Sequence, residues 1–211
     1  MQRILKNNTM AENQKEQILE AASEKMRLAG IRSVSIDDIC RELGMSKKTF
    51  YVYFETKDAL VDALLRRREQ AQENEYLKSV KGKNVVDILV SAIQILKKPQ
   101  DVRQIPPVLY DLKKYYPQAF AEHLARVKAR NKELFQSFFE AGVREKVFRE
   151  DMDPKITAIL FAKLHELMIE ELATAKDKNL CARVSKYGLD VLFRGVISEE
   201  GRRMIELKIE D

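Results

Sequence analysis

The chain has 211 residues, of which 45% are apolar and 34% are charged, while only 7 are glycine and 5 are proline. This apolar fraction excludes a disordered chain, and so little glycine and proline favours helices over a turn-rich β architecture. The longest apolar runs, such as 158–162, are far shorter than the roughly 20 residues that a membrane span needs. Residues 1–10 carry Arg3 and Lys6 without an apolar core, so we expect a frayed basic arm rather than a signal peptide, and a cytoplasmic protein.

Four helices are predicted in the first 76 residues. Apolar side chains recur every three or four positions over residues 11–29, which predicts an amphipathic helix that ends at Gly30. Capping residues and a glycine divide the following segment into two short helices and a long one. These helices span about 36–43, with Ser35 as N-cap and Asp38 in the first turn; about 46–54, with Ser46 as N-cap after Gly44; and about 57–76, with Thr56 as N-cap.

Prolines set most of the helix boundaries in the remainder of the chain. The periodicity predicts helices at about 84–97, 102–115, 117–141, 154–174, 180–197 and 199–208, which makes an all-α chain of about nine helices. The helices at 154–174 and 180–197 carry apolar residues on more than one face, so we expect them to form a partner surface.

Residues 36–54 have the pattern of a helix-turn-helix. Cys40 supplies a small side chain where two helices cross, and Gly44 supplies the positive φ that the tight turn needs. Burial of the apolar side chains leaves Lys47, Lys48, Tyr51 and Val52 facing outward, where they could enter a DNA major groove. Bulk charge gives no such signal, because residues 1–60 contain 10 Lys and Arg against 9 Asp and Glu.

Signals for enzymatic or metal chemistry are weak. The segment His165-Glu-Leu-Met-Ile169 begins like a zinc-protease motif but has Ile169 where the second ligand is needed. Cys40 and Cys181 are predicted to be free thiols rather than a disulfide or a zinc site. The sequence has no nucleophile elbow and no glycine-rich phosphate loop, so we expect neither an enzyme nor a cofactor.

Five strings in the first third of the chain are together specific: Ile18-Leu-Glu-Ala-Ala22, Gly30, residues 35–44, Ser46-Lys-Lys-Thr-Phe-Tyr-Val-Tyr-Phe54 and Thr56-Lys-Asp-Ala-Leu60. In these the chain resembles transcriptional repressors of the TetR family (TetR/AcrR type), densely over residues 14–65 and only in generic features beyond. The resemblance implies a three-helix DNA-binding domain at 1–60 and a helical effector-binding and dimerisation domain at 61–211.

The resemblance also implies which residues meet double-stranded DNA. Lys47, Thr49, Tyr51 and Tyr53 would contact DNA, and Lys57 at a helix N-terminus would bind a phosphate. Two positions depart from the family pattern: Lys48 replaces a common glycine, and Val52 replaces a polar or aromatic residue and could contact a thymine methyl group. The predicted DNA-binding set is Ser46, Lys47, Lys48, Thr49, Tyr51, Val52, Tyr53 and Lys57.

For the second domain, the resemblance implies a central cavity for a small apolar or amphipathic effector. Simple core packing is the alternative explanation for the aromatic residues that would line it. The predicted lining is Tyr110, Phe120, His123, Leu124, Phe135, Phe138, Phe161, His165 and Met168.

Taken together, these features predict a homodimeric repressor that binds a palindromic operator and is released by an effector, with no membrane contact. Helices 154–174 and 180–197 would pair with their symmetry mates in a four-helix bundle. Two alternatives stay open: an activator or corepressor-dependent regulator, and a helical ligand carrier or enzyme with a vestigial DNA-binding head.

Overall fold

A computed structural model describes residues 2–97, 108–174 and 178–210 of the chain. Within these ranges the chain forms ten α-helices and no β-strand, apart from one isolated bridge between Phe148 and Ile197. The helices are α1 (Gln2–Ala29), α2 (Ile36–Leu43), α3 (Lys47–Tyr53), α4 (Lys57–Val80), α5 (Val85–Lys97), α6 (Val108–Tyr115), α7 (Pro117–Arg144), α8 (Pro154–Thr174), α9 (Lys178–Val196) and α10 (Glu199–Glu210).

The all-α prediction is confirmed, and the differences lie at helix ends and in the count. The described residues form ten helices, one for each of the ten predicted ranges, so the predicted total of about nine was one too low. The frayed arm is wrong as a prediction, because α1 begins at Gln2; residues 2–10 contain no glycine or proline to interrupt it. Helix α4 continues to Val80, shortly before Gly82 with its φ of +73°. Part of the helix predicted at 102–115 lies outside the described residues, which show α6 from Val108.

The chain divides into two compact units. The described residues of the first lie within Met1–Ala71 and Pro106–His123, and those of the second within Gln72–Ile105 and Leu124–Asp211. The boundary between the units falls within α4 and within α7. The functional boundary predicted near residue 60 stays a prediction. None of the described helices is long and apolar enough to cross a membrane.

The first unit is built on a small apolar core shared by α1, α2, α3 and α4. Ile18 and Ala22 of α1, Ile39 of α2, Phe50 of α3 and Leu60 of α4 are all fully buried. Burial of a large apolar side chain contributes roughly 1.5–3 kcal/mol. The core therefore fixes the positions of α2 and α3, which are too short to be stable alone.

Phenylalanines dominate the core of the second unit. Phe139 and Phe148 are fully buried with ring centroids 5.2 Å apart, and Phe161 lies 4.8 Å from Phe139. Two glycines permit the close packing around them. A Cβ at Gly142 would lie 2.1 Å from the Phe148 ring, and one at Gly201 would lie 2.1 Å from the carbonyl oxygen of Val147.

Ser35 is the N-cap of α2, as the sequence predicted, and forms a capping box with Asp38. Ser35 Oγ accepts a hydrogen bond from the Asp38 backbone N–H (3.1 Å), and the Ser35 backbone N–H donates to Asp38 Oδ2 (2.9 Å). Ser35 Oγ also donates to Asp38 Oδ2 at 2.5 Å. These hydrogen bonds, first the one from the side chain and then the one from the backbone of Ser35, lower the pKa of Asp38 below its ordinary value.

Replacing Ser35 by alanine should weaken this start of α2. The substitution removes the cap, so we expect the free energy of unfolding at pH 7 to fall by about 1 kcal/mol. It also removes a donor to the Asp38 carboxylate, so the pKa of Asp38 should rise toward its ordinary value. Denaturant unfolding gives the first quantity, and an NMR titration of the carboxyl group gives the second.

The pH dependence follows from the sign of that shift. A carboxyl group with a lowered pKa in the folded state stabilises the fold above its unfolded pKa, and this contribution disappears as pH falls through the folded pKa. The difference between wild type and Ser35→Ala should therefore shrink in acid. Ser33→Ala, in the exposed turn before α2, is the control. An equal loss in the control, or a difference that does not change with pH, would contradict the role given to the capping box.

Candidate DNA-binding surface

Helix α3 is held by the side chains on its inner face. Phe50 is fully buried and Phe54, which follows the helix, is only 4% exposed, with the two ring centroids 5.8 Å apart. Helix α2 contributes buried Ile39 and Cys40, and burial raises the pKa of the Cys40 thiol. The side chain of Cys181 lies outside the described residues. Cys40 is thus the buried, small free thiol that the sequence predicted.

The turn between α2 and α3 adopts the predicted conformation. Gly44 has a φ of +62°, in the left-handed region that glycine adopts without strain. The Met45 backbone N–H donates to the carbonyl oxygen of Cys40 at 3.0 Å, and Ser46 then caps α3 by accepting from the Thr49 N–H at 3.1 Å. Residues 36–54 therefore form the predicted helix-turn-helix.

The outer face of α3 is formed by Lys47, Lys48, Tyr51 and Val52, all of them exposed. Tyr51 is 47% exposed and Val52 is 75% exposed. Much of each side chain is therefore accessible to a partner, whereas Phe50 and Phe54 are buried in the core. Two cations, a phenol and an apolar group on one short helix can meet phosphates and base edges together.

Lys47 forms an ion pair within the first unit. Its Nζ lies 2.7 Å from Asp37 Oδ1 of α2, and the hydrogen bond with this carboxylate raises the pKa of Lys47. Both side chains are exposed, so the ion pair stabilises the fold little and can exchange for a phosphate contact. Asp37 could not be predicted as this partner, because an ion pair across the turn depends on tertiary geometry and not on a sequence motif.

The remaining predicted contacts are more enclosed. Tyr53 is half-buried, and its hydroxyl donates to Gln14 Oε1 of α1 at 3.0 Å. Lys57 is half-buried; its Nζ donates to the carbonyl oxygen of Ile31 at 2.7 Å and lies 5.7 Å from the centroid of the Tyr116 ring. In this arrangement the two side chains link α3 and α4 to the rest of the unit. Their contacts with DNA stay predictions.

Three predicted effector-pocket residues belong to the first unit. Tyr110 is 48% exposed, and its hydroxyl accepts from Lys114 Nζ at 3.1 Å. Phe120 is buried. His123 Nδ1 lies 2.6 Å from Glu69 Oε1, and both side chains are largely buried. Packing and pairing within the first unit thus account for the described contacts of these three residues.

The other predicted pocket residues belong to the second unit. Phe138 and Phe161 are part of the aromatic core, joined by half-buried Phe135, whose ring centroid lies 6.2 Å from that of Phe161. His165 Nδ1 lies 3.0 Å from Asn131 Nδ2, and burial, followed by the charge of Arg130, lowers the pKa of His165. Leu124 and Met168 are half-buried. An effector-lining role for these residues stays a prediction, and the described residues contain no cluster suited to a metal ion.

Comparisons of the sequence with known proteins find similarity to bacterial transcriptional regulators over part of the chain. The family "Bacterial regulatory proteins, tetR family" matches residues 18–64. An uncharacterised HTH-type transcriptional regulator of Bacillus subtilis, YvdT, is 43% identical over 49 residues, which cover 23% of this chain and 25% of that protein. The HTH-type transcriptional regulator UidR of Escherichia coli is 29% identical over 85 residues, which cover 40% of this chain and 43% of UidR. The chain thus matches less than half the length of these curated relatives.

A likeness in fold extends over most of the chain. The crystal structure of a TetR-family transcriptional regulator from Pectobacterium atrosepticum superposes with a TM-score of 0.68 at 16% identity. It covers 90% of this chain and 97% of that one. The helix-turn-helix of residues 36–54 lies within the family match at 18–64, and over most of its length the chain has a fold similar to that of this solved TetR-family regulator.

Proposed function

We propose that the chain is a transcriptional repressor that binds a palindromic operator as a homodimer and is released by a small apolar or amphipathic effector. The observation that carries this proposal is the outer face of α3. Its four side chains are exposed while Phe50 behind them is fully buried, so the face is held rigidly and is available to a partner.

The chemistry of this face suits a DNA major groove. Lysine ammonium groups bind phosphates and the acceptor atoms of guanine, and the Tyr51 hydroxyl can hydrogen-bond to either. Val52 can contact a thymine methyl group, a contact available only in the major groove. Lys48 stands where the family often has glycine, so the chain should prefer an operator of its own. An exposed face of this composition also argues against a vestigial head.

Helices α8 and α9 supply support for a homodimer. Ile156, Leu160 and Leu167 of α8 are each more than half exposed, and Val191 of α9 is 49% exposed. The two helices pack against each other, with a Cβ position at Gly188 3.4 Å from Leu164. An apolar surface of two neighbouring helices is suited to a second copy, because a twofold axis then gives a four-helix bundle.

A twofold axis and an effector together would explain regulation. Two copies of α3 would enter successive major grooves about 34 Å apart on a palindromic site. An effector can release DNA only if it binds better to a conformation that DNA does not select. Repression, rather than activation or a need for a corepressor, would be recognised by an operator that overlaps a promoter and by loss of binding when the effector is added.

Selection of bound sequences from a random DNA duplex pool tests the role of α3. Wild type should enrich one palindrome, and the double variant Lys47→Ala, Tyr51→Ala should bind it at least about 100-fold more weakly, because it loses two contacts of 1–3 kcal/mol each. Lys47→Ala alone should lower the salt dependence by about one ion. Lys78→Ala, an exposed lysine of α4, is the control and should bind as wild type does.

If all these proteins bind DNA equally, or if wild type shows only unspecific, salt-sensitive binding, the proposal is overturned in favour of a ligand carrier. If a palindrome is enriched, it becomes the labelled probe on which effectors are screened by fluorescence anisotropy.

Placing a charge on the exposed α8 and α9 surface should separate the dimer. Leu160→Glu or Val191→Glu would lose apolar burial twice in a twofold interface, so we expect the dimer to dissociate roughly 100-fold more readily or beyond. Sedimentation equilibrium measures the effect, and circular dichroism checks the fold. Leu207→Glu, at a 67% exposed position of α10, is the control. A wild-type monomer, or dimers unaffected by both substitutions, would refute this interface.

A further inference from the structure

A groove of about 990 Å³ lies between α5, α9 and α10 within the second compact unit. Its floor is apolar: Leu89 of α5 and Ile205 of α10 are buried. Ile93 of α5 and Phe193 of α9 are half-buried and continue the apolar lining. The volume lies at the upper end of the range for small-molecule sites, so the groove can hold a large ligand.

Cations line the rim of this groove on two of its helices. Arg183 and Lys186 come from α9, and Arg202 comes from α10; all three side chains are exposed. Among the residues that the structure describes, these three side chains form no ion pair. By contrast, Arg194 and Asp190, which also line the groove, neutralise each other at 2.8 Å.

The charge balance of the groove is therefore positive. With the Arg194 and Asp190 pair set aside, three cations face one further carboxylate, that of Glu206. The surplus of two positive charges lies beside a long apolar floor. A ligand that fills both parts needs an apolar chain and an anionic head group, because burial of the chain and pairing of the head group then occur together.

We propose that this groove binds an amphipathic anion, a molecule with an unbranched apolar chain and a carboxylate head group. The chain lies along the apolar floor formed by Leu89, Ile93, Phe193 and Ile205. The carboxylate lies between Arg202 and the two cations of α9, and a guanidinium can bind both of its oxygens at once.

The site is distinct from the effector pocket that the sequence predicted, since none of those residues lines it. The proposal does not depend on the proposed function, because it concerns direct binding in the absence of DNA. A second copy of the chain is the other possible occupant of the groove, since Val184 and Tyr187 at its edge are exposed on α9, the helix that also carries Val191 of the proposed dimer surface. Charge favours the anion, because a copy would bring the same surplus of cations to the same face.

The test is isothermal titration of the full chain with dodecanoate below its critical micelle concentration. Wild type should bind dodecanoate, and Arg202→Glu should bind it about tenfold or more weakly, because one charged hydrogen bond becomes a repulsion. Arg203→Glu is the matched control: it makes the same change one residue along α10, at an exposed position outside the groove lining. Arg203→Glu should retain wild-type affinity, and Arg183→Glu should repeat the loss from the α9 side.

Two further probes separate the chain from the head group. Acetate lacks the apolar chain and should not bind, and dodecyltrimethylammonium has the same chain with a cationic head group and should bind far more weakly. Equal binding of the cationic probe, or equal losses in Arg202→Glu and Arg203→Glu, would overturn the proposal. Absence of dodecanoate binding, together with a change of oligomeric state in Arg202→Glu, would overturn it in favour of a second copy.

Discussion

Burial of Phe50 between α3 and the helices behind it is the constraint on which the candidate DNA-binding surface depends. A seven-residue helix is not stable alone, so the position of α3 is set by this side chain, by Phe54 and by the cap at Ser46. Once Phe50 faces the core, the helical repeat places Lys48 and Val52 on the opposite side and Tyr51 on the flank. Lys47, three residues before Phe50, lies toward α2 and pairs there with Asp37. The chemistry of the surface is thus a consequence of packing, and its rigidity lowers the entropic cost of binding.

The second unit combines a well-packed interior with exposed apolar side chains on α8 and α9. Phe139 and Phe148 are fully buried, and Gly142 and Gly201 permit contacts that any side chain would prevent. Leu160 of α8 is nevertheless 53% exposed. Since the core is closely packed without these exposed residues, they are available for association with a second copy. The cationic rim of the groove between α5, α9 and α10 is available for a ligand.

Helix bounds that depend on neighbouring residues could be predicted from the sequence, whereas contacts between residues far apart in the sequence could not. The bounds of α2 and α8 follow from neighbours in the sequence, Ser35 and Gly44 for the first and Pro154 for the second, and both agree with the structure. The ion pair of Lys47 with Asp37 depends on how α2 crosses α3, which no spacing rule supplies.

The groove escaped prediction for the same reason, because residues far apart in the sequence, such as Ile93 and Arg202, form it together. The frayed N-terminal arm was predicted from polarity alone, which says little about a segment that lacks helix-breaking residues. For the predicted DNA-binding residues, the resemblance of residues 18–60 to the TetR family indicated a role that helical periodicity alone could not indicate.

The central claim is that the outer face of α3 contacts DNA. It is tested most directly by placing a photoreactive phenylalanine derivative at Val52 and irradiating the protein with duplex DNA that carries the selected site. Val52 is 75% exposed, so the substitution leaves the core intact, and the same group at Leu28 of α1, 70% exposed, serves as control. We expect covalent protein–DNA adducts from position 52 and few from position 28. Equal yields from both positions, or adducts from position 28 alone, would contradict it.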